Sequence, residues 1–225
     1  MTNATSPGST RRERPAKPAL TRAGIIDAAL AILDDEGLGK VTMRRIATAL
    51  DTGAASLYVY VRNTEDLHAQ LLDALVGRIK PSARTGTWRE RLHGLLVSYV
   101  EVLFAHPEIA QMAMTTHPSG PNYLAFVESI LELLEEGGVD DGAAAWGIDL
   151  LLSAVTAVAV EHGGDRRPGA HAEERSELAA TIAIVPSDRY PLIARLGDEM
   201  LSGTGPERFG WGIDVLLNGI VGTPR

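Results

Sequence analysis

Basic and hydroxyl-bearing side chains are concentrated in one short stretch, residues 40–62. This stretch contains four basic side chains and a single acidic one. A guanidinium group can bind phosphate, or the O6 and N7 atoms of guanine through two hydrogen bonds, and hydroxyl groups donate to phosphate oxygens. The combination favours contact with nucleic acid through Thr42, Met43, Arg44, Arg45, Ala54, Ala55, Ser56, Tyr58, Tyr60 and Arg62.

The spacing of apolar residues in the same stretch predicts the backbone that carries these groups. Thr42 is a good N-cap, and the apolar residues after it follow helical spacing as far as Leu50. Residues 51–53, Asp-Thr-Gly, have the composition of a tight turn. A second short helix follows, with Leu57 and Val61 on its inner face. Two short helices joined by a tight turn predict a helix-turn-helix.

Residues 20–79 resemble the DNA-binding domain of TetR-type transcriptional repressors. The segment SLYVYVRNTEDL is similar to the family signature LYxHxxxKxxL, with Leu57, Tyr58, Tyr60, Asn63 and Leu67 in matching places. The chain departs from the family in having Asp51 where Gly is usual, and Tyr60 where His is frequent. The C-terminal part is similar to the tetracycline-repressor branch.

The resemblance implies a ligand-responsive, sequence-specific regulator that a small molecule releases from a palindromic operator. Arg44 and the second helix would then enter the major groove, and Thr42, Ser56 and Tyr58 would donate to phosphates. Tyr60 would contact a base edge or the backbone, and Arg62 would add charge. Ligand entry would displace the helix after Asn63 and change the spacing of the two recognition helices. There are two alternatives. One is an activator or pleiotropic regulator of the same fold, and the other is a helical small-molecule binding protein that does not bind DNA.

The charge of the chain is unevenly distributed. The net charge is −8, but residues 1–80 hold 11 basic against 9 acidic side chains, and residues 81–225 hold 10 against 20. Because salt screens charges beyond about 10 Å, attraction to phosphate depends on the local balance. The overall acidity argues against non-specific coating of DNA and is compatible with a site-specific regulator.

Composition excludes several classes of chemistry. There is no Cys, and hence no disulfide framework, thiolate metal site or cysteine nucleophile. The six His residues show no H-E-x-x-H spacing, and neither a P-loop nor a G-x-S-x-G elbow is present. We therefore expect no enzyme, cofactor or metal.

The sequence also bears on the location of the protein. The N-terminus lacks the apolar run of a secretory signal, and the longest apolar stretch, residues 150–160, is too short to cross a bilayer. These features predict a cytoplasmic protein without a membrane contact.

Breaks in the hydrophobic pattern predict an all-α chain with three parts. Residues 1–19 are interpreted as a disordered basic arm, with a DNA-contacting arm as the alternative. Residues 20–80 form the helix-turn-helix DNA-binding domain, and residues 81–225 form a larger helical ligand-binding and dimerisation domain. Beyond the helix-turn-helix, we expect helices at residues 63–79, 87–105, 107–116, 122–136, 141–162, 172–183, 188–201 and 206–221.

The second domain contains candidate ligand-binding residues. Met and aromatic side chains suit an adaptable apolar cavity in which a few polar groups orient the ligand. At the positions of the family's pocket-forming helices stand Trp88, His106, Met112, Met114, Thr116, His117, Tyr123, Phe126 and Trp146. Ala113 occupies the place where the tetracycline-repressor branch has a metal-binding His, so the resemblance does not extend to recognition of a metal–tetracycline complex.

One sequence pattern occurs twice, at residues 146–153 (WGIDLLLS) and 211–218 (WGIDVLLN). Both segments are apolar almost all round, so both must be largely buried. The family pairs the corresponding helices with those of a second subunit, and a helix-turn-helix needs two half-sites, so we expect a homodimer on an inverted-repeat DNA operator. The predicted interface residues are Asp149, Leu150, Leu152, Ser153, Val155, Trp211, Asp214, Leu217 and Asn218.

Overall fold

The computed structural model describes residues 19–80, 85–116, 118–163 and 170–225, and over these ranges it contains eleven α-helices and no strand. The predicted all-α fold is confirmed. Almost all of the predicted basic arm lies outside the described residues. The helices are α1 (Arg22–Glu36), α2 (Met43–Ala49), α3 (Ala54–Leu57), α4 (Thr64–Val76), α5 (Trp88–Ala105), α6 (Pro107–Ala113), α7 (Pro121–Glu136), α8 (Asp141–His162), α9 (Ala170–Ala183), α10 (Pro191–Leu201) and α11 (Gly205–Gly222).

Local capping explains where most helices begin. The side chains of Thr21, Thr42, Asn63 and Asp140 each accept a hydrogen bond from a backbone N–H in the first turn of α1, α2, α4 and α8. Thr87 and Glu90 form a capping box at the start of α5. These contacts satisfy amide groups that have no partner within the helix.

Three predicted helix boundaries are wrong. The helix expected to end at residue 116 ends at Ala113. The helix expected to continue to Ile79 ends at Val76, because the amides of Arg78 and Ile79 bond three residues back instead of four. The helix expected from residue 188 begins at Pro191. Proline disfavours helical backbone at the residue before it, and Tyr190 accordingly has φ −128° and ψ 61°.

A single hydrophobic core runs through the described part of the chain. Helix α4 packs against α1 on the DNA-binding side and against α5, α6 and α7 on the other. Helix α8 contacts α5, α6, α7 and α11. The helix-turn-helix is therefore joined to the larger domain by shared packing around α4 as well as by the chain.

Helix α8 has 22 residues and is apolar enough to cross a bilayer by length and composition alone, contrary to the expectation that the apolar stretch was too short. Four other helices pack against it, and 44% of its most apolar window is buried inside the protein. These contacts explain its composition as that of a core helix.

The turn between α2 and α3 fixes the angle of the helix-turn-helix. Asp51 has φ 49°, and it is the one described non-glycine residue with positive φ. Its amide donates to the Thr48 carbonyl at 3.1 Å, and the amide of Thr52 donates to the Ala47 carbonyl at 2.9 Å. These two bonds are those of a Schellman motif, in which Asp51 holds the left-handed position that glycine usually occupies.

This backbone conformation predicts how Asp51 can be replaced. Asp51→Val should lower the free energy of unfolding by about 1–2 kcal/mol, because a β-branched side chain is strained in the left-handed region. The Asp51→Gly variant should have a urea midpoint of unfolding no lower than that of the parent protein. Urea unfolding at one fixed protein concentration measures both, and equal midpoints for the Val and Gly variants would contradict the assignment.

Polar contacts join the end of α1 to the start of α6. The backbone amide of Leu38 donates to Glu108 Oε2 at 2.7 Å. Asp34 on α1 lies 3.5 Å from the Arg78 guanidinium and 3.7 Å from His106 Nε2. Burial lowers the pKa of the His106 imidazole below its usual range, while Asp34 acts in the opposite direction. Burial of the imidazole at this junction therefore favours the neutral form of His106, and its effect exceeds that of Asp34.

The lowered pKa of His106 predicts a loss of stability on acidification. The folded protein takes up a proton here less readily than the unfolded chain, so stability present at neutral pH falls as the pH drops below about 6.5 and through the folded pKa. Thermal unfolding between about pH 7.5 and 5.5 should show this fall, and His106→Gln should make it shallower. Burial also lowers the pKa of His68, so part of the dependence should remain.

The control for this experiment is His162→Gln, at the exposed end of α8. A pH dependence unchanged by His106→Gln would show that His106 does not titrate against folding.

Candidate DNA-contacting surface and ligand cavity

The helix-turn-helix presents a small polar surface and buries its apolar one. Ile46, Ala47, Leu57 and Val61 are buried against the core, as the helical spacing predicted. The other side of the two helices is exposed, and among the predicted DNA-contacting residues it includes Thr42, Arg44, Ala55, Ser56 and Tyr58. Small side chains on α3 allow close approach to a groove, and the hydroxyl groups beside them can donate to phosphates.

The two adjacent arginines of α2 have different environments. Arg44 is exposed, and its guanidinium makes no ion pair with any residue that the structure describes. The Arg45 guanidinium binds the Glu36 carboxylate of α1, with Nη2 to Oε1 at 2.5 Å and Nε to Oε1 at 3.1 Å. The hydrogen bond from Arg45 lowers the pKa of Glu36. Arg45 thus ties α2 to α1, and Arg44 is the guanidinium available to a base edge.

Burial or pairing affects four further predicted DNA contacts. The Tyr60 hydroxyl donates to the Leu20 carbonyl at 2.8 Å and its half-buried ring packs on the core, which leaves it less free to contact a base edge. Met43 and Ala54 are likewise half-buried against the core. Arg62 remains highly exposed, although Asp66 lies 3.6 Å from its guanidinium and offsets part of its charge.

Sequence reasoning missed two exposed residues on this surface. Val59 is 79% exposed, although an apolar residue in a helix is usually expected to face the core. Its position between the buried residues Leu57 and Val61 was the signal that it points outward. Lys40, one turn before α2, is also exposed and adds a positive charge near Arg44.

A cavity of about 80 Å³ lies where α4, α5, α6, the start of α7 and α8 meet. Of the predicted ligand-binding residues, Met114, Thr116 and Tyr123 line it, and Phe126 is buried behind the wall with its ring 5.1 Å from that of Tyr99. His117 lies outside the described residues. The full lining is Leu72, Tyr99, Ala113, Met114, Thr116, Pro118, Tyr123, Asp149, Leu152, Ser153 and Thr156.

Neutral hydrogen-bonding groups dominate the polar side of this cavity. The hydroxyl groups of Tyr99 and Thr156 lie 3.3 Å apart. Burial raises the pKa of Tyr99 to about 12, and burial followed by the Asp149 charge raises that of Tyr123. Both phenols therefore stay protonated at neutral pH and can donate to a ligand oxygen. Ala113 places a methyl group in the wall, and the described residues contain no cluster of three metal-ligating side chains.

The remaining predicted ligand residues lie elsewhere. His106 lines a separate open cavity of about 390 Å³ between the end of α1 and the start of α6. Trp88 packs against the end of α7 at Gly137, and Met112 packs on the core without lining either cavity. Trp146 is 64% exposed, with the Arg225 guanidinium 3.5 Å from its ring centroid. These four side chains do not line the small cavity, because helical position alone does not say which neighbour a side chain faces.

The predicted dimer residues divide into three groups. Leu152, Val155 and Leu217 are buried within the protomer's own core, so they cannot add contact area to a second subunit. Asp149 and Ser153 are exposed residues at the edge of the small cavity. Leu150, Trp211, Asp214 and Asn218 are exposed on α8 and α11, and Trp146 lies exposed on α8 as well. The two repeated segments therefore use the same pattern, with the tryptophan outward and the last of the consecutive leucines, Leu152 or Leu217, inward.

Sequence reasoning also missed cavity residues. Leu72 on α4, Tyr99 on α5 and Thr156 on α8 were not among the candidates, although all three contribute to the wall. The available signal was a polar side chain in an otherwise apolar helix, since a buried hydroxyl needs a partner. Tyr99 and Thr156 supply that partner to each other.

Comparison with known proteins agrees with both parts of this architecture. Residues 25–71 match the family model described as "Bacterial regulatory proteins, tetR family", and residues 80–223 match "Tetracyclin repressor-like, C-terminal domain". The HTH-type transcriptional repressor DrrR1 of Streptomyces coeruleorubidus is 29% identical over 222 residues, which are 93% of this chain and 80% of the relative.

Solved structures from Streptomyces coelicolor have the same fold. The transcription regulator SCO7704 is 44% identical with a TM-score of 0.75, over 93% of this chain and 98% of that one. ActR, solved in complex with actinorhodin, is 31% identical with a TM-score of 0.80, over 90% of this chain and 96% of that one.

The C-terminal family model alone matches more than half of the chain. Regulators of this family are DNA-binding proteins that dimerise and bind small molecules, and they are not enzymes. The predicted resemblance, including the likeness of the C-terminal part to tetracycline repressors, is confirmed. The chain belongs to the TetR family of bacterial regulatory proteins and is a DNA-binding transcriptional repressor of that family.

Proposed function

We propose that this repressor binds an inverted-repeat operator as a homodimer and is released by a small-molecule effector. The observation that carries the DNA contact is the exposed guanidinium of Arg44, which forms no ion pair with any described residue, beside the small polar face of α3. Arg44 reads a guanine in the major groove, while Thr42, Ser56 and Tyr58 bind phosphates. Residues 20–80 act as the DNA-binding unit and residues 81–225 as the effector and dimer unit, in the cytoplasm.

The effector that suits the cavity is an apolar ring system with several oxygen atoms. The wall combines apolar side chains with the phenols of Tyr99 and Tyr123 and the hydroxyls of Thr116 and Thr156, which are donors for keto and hydroxyl oxygens. ActR, which has the same fold, was solved in complex with actinorhodin, and this supports a ligand similar to actinorhodin. Drug-sized ligands occupy roughly 300–1,000 Å³, so binding has to widen the cavity.

The dimer is proposed to form through the exposed faces of α8 and α11. Four apolar side chains on these faces are between 47% and 72% exposed: Trp146 and Leu150 on α8, and Trp211 and Val215 on α11. An exposed apolar patch of this kind marks an interaction site. Because α8 and α11 pack against each other in the protomer, a two-fold axis on this face would bring four helices together.

Selection of bound duplexes from a random DNA pool tests the DNA contact. The parent protein should enrich an inverted repeat at physiological salt. Arg44→Ala should lose about 1–3 kcal/mol at one base pair of each half-site and relax the preference there, because the bidentate contact to guanine is removed. The matched variant Arg45→Ala should keep the base preference, since that guanidinium binds Glu36.

Two outcomes of this selection would contradict the proposal. Equal weakening on all sequences by Arg44→Ala would make Arg44 a phosphate contact only. Enrichment of a site without two-fold symmetry by the folded parent protein would exclude the inverted repeat.

Charge placed on the proposed interface should separate the subunits. Leu150→Arg combined with Trp211→Arg buries unpaired charges in a dimer, so light scattering at micromolar concentration should show monomers for the variant and dimers for the parent. Leu124→Arg is the matched control, because Leu124 is exposed to a similar degree but lies on α7. A variant that stays dimeric would place the interface elsewhere.

A further inference from the structure

The N-terminus of α7 is capped by a residue of another helix. Gly120, at the N-cap position, offers no side chain, and the next residue, Pro121, has no amide hydrogen. Asp73 of α4 fills this role: its Oδ1 accepts a hydrogen bond from the Tyr123 amide at 2.8 Å, and its Oδ2 accepts one from Asn122 Nδ2 at 3.0 Å. A carboxylate at this end of a helix is also favoured by the helix dipole.

This contact is buried and closely packed. Asp73 is only 8% exposed, and no basic side chain among the described residues pairs with it. A Cβ at Gly120 would lie 2.2 Å from Asp73 Cγ, and a Cβ at Gly77 would lie 2.8 Å from Asn122 Cγ. Removing the hydrogen-bond partners of a buried carboxylate strongly destabilises the folded protein. Helix α4 therefore cannot move away from the start of α7 without leaving this charge unsatisfied.

The capped segment is also a wall of the small cavity. Met114, Thr116, Pro118 and Tyr123 line the cavity from the end of α6 to the first turn of α7. The Tyr123 amide that Asp73 binds thus belongs to the same residue whose side chain faces the cavity. Because about 80 Å³ is far below the roughly 300–1,000 Å³ of a typical ligand site, occupation of the cavity has to displace part of its wall.

Helix α4 carries this displacement to the DNA-binding unit. Its N-cap, Asn63, follows the helix-turn-helix directly, and α4 packs against α1. We propose that Asp73 is a positioning residue that locks α4 to the wall of the effector cavity, so that the placement of the two recognition helices in the dimer depends on the Asp73 contact with the start of α7. This rests on the proposed function for the identity of the cavity, whereas the lock itself is tested without effector or operator.

The absence of Cys from the chain allows a direct measurement. Val59, 79% exposed beside α3, is replaced by Cys and carries a nitroxide, and the distance between the two labels of the dimer is measured by pulsed electron paramagnetic resonance. The otherwise unchanged protein should give one narrow distribution. Asp73→Ala should shift or broaden it, and should speed hydrogen exchange of the Tyr123 amide by about tenfold or more, since a hydrogen bond to a charged group is lost.

Two variants keep the experiment decisive if Asp73→Ala folds poorly. Asp73→Asn retains an oxygen that can accept from the Tyr123 amide, so it should restore the narrow distribution. Gly120→Ala retains the carboxylate but forces the wall and α4 apart, so it should shift the distance as Asp73→Ala does. Gly120→Ala therefore imitates displacement of the wall without any ligand.

The matched control removes an equivalent cap from a helix other than α7. Asp140 caps α8 through the amides of Gly142 and Ala143, and Asp140→Ala should lower thermal stability while leaving the distance between labels unchanged. A purely structural Asp73 would give the same result, with lower stability and an unchanged distance, and this would overturn the proposal, as would an unchanged distance in Gly120→Ala. A shifted distance in a protein that selects no operator would leave the lock standing and refute the proposed DNA contact instead.

Discussion

The burial of α4 is the constraint on which the rest of the structure depends. Five of its apolar residues are almost completely buried, and the core they belong to extends from α1 to α11. A helix with one apolar stripe can pack on one neighbour, but α4 is covered by α1 on one side and by α5, α6 and α7 on others. Close packing makes such an element move as a unit with its neighbours. A change in the cavity wall and a change in the DNA-binding surface are therefore two consequences of one helix position.

Specific DNA recognition by this protein depends more on where the contacting side chains are held than on its net charge. The net charge of −8 repels DNA overall, and Arg45 and Arg62 are each compensated by a nearby carboxylate. Arg44 keeps its guanidinium exposed beside α3, where the buried residues Leu57 and Val61 hold the surface in position. Because one bidentate contact discriminates only about 1–3 kcal/mol, useful specificity requires that both half-sites be read together. The geometry of the dimer thus matters as much as the contacts of either subunit.

The features that could be read from the sequence are the local ones. Thr42 caps its helix as predicted, and Asn63 and Asp140 cap α4 and α8 in the same way, because a cap depends on residues within one turn. The left-handed Asp51 was predictable for the same reason. The faces of α8 were not, since a helix that is apolar all round carries no pattern to separate Leu152, which is buried, from Trp146, which is exposed.

Contacts distant in sequence were likewise invisible before the structure. The groups that define the small cavity, Tyr99 and Thr156, are 57 residues apart, and the partner of Asp73 lies 50 residues away at Tyr123. To switch a protein fully from one state to the other, a ligand must bind the second state more tightly than the first by about 5.5 kcal/mol. The hydrogen bond from the Tyr123 amide to the buried Asp73 carboxylate contributes about 1.5–3 kcal/mol, and a two-fold dimer contains two of these amide bonds, or roughly 3–6 kcal/mol. The Asp73 contact is therefore of the right size to hold α4 in place and still yield to a ligand that fits the widened cavity.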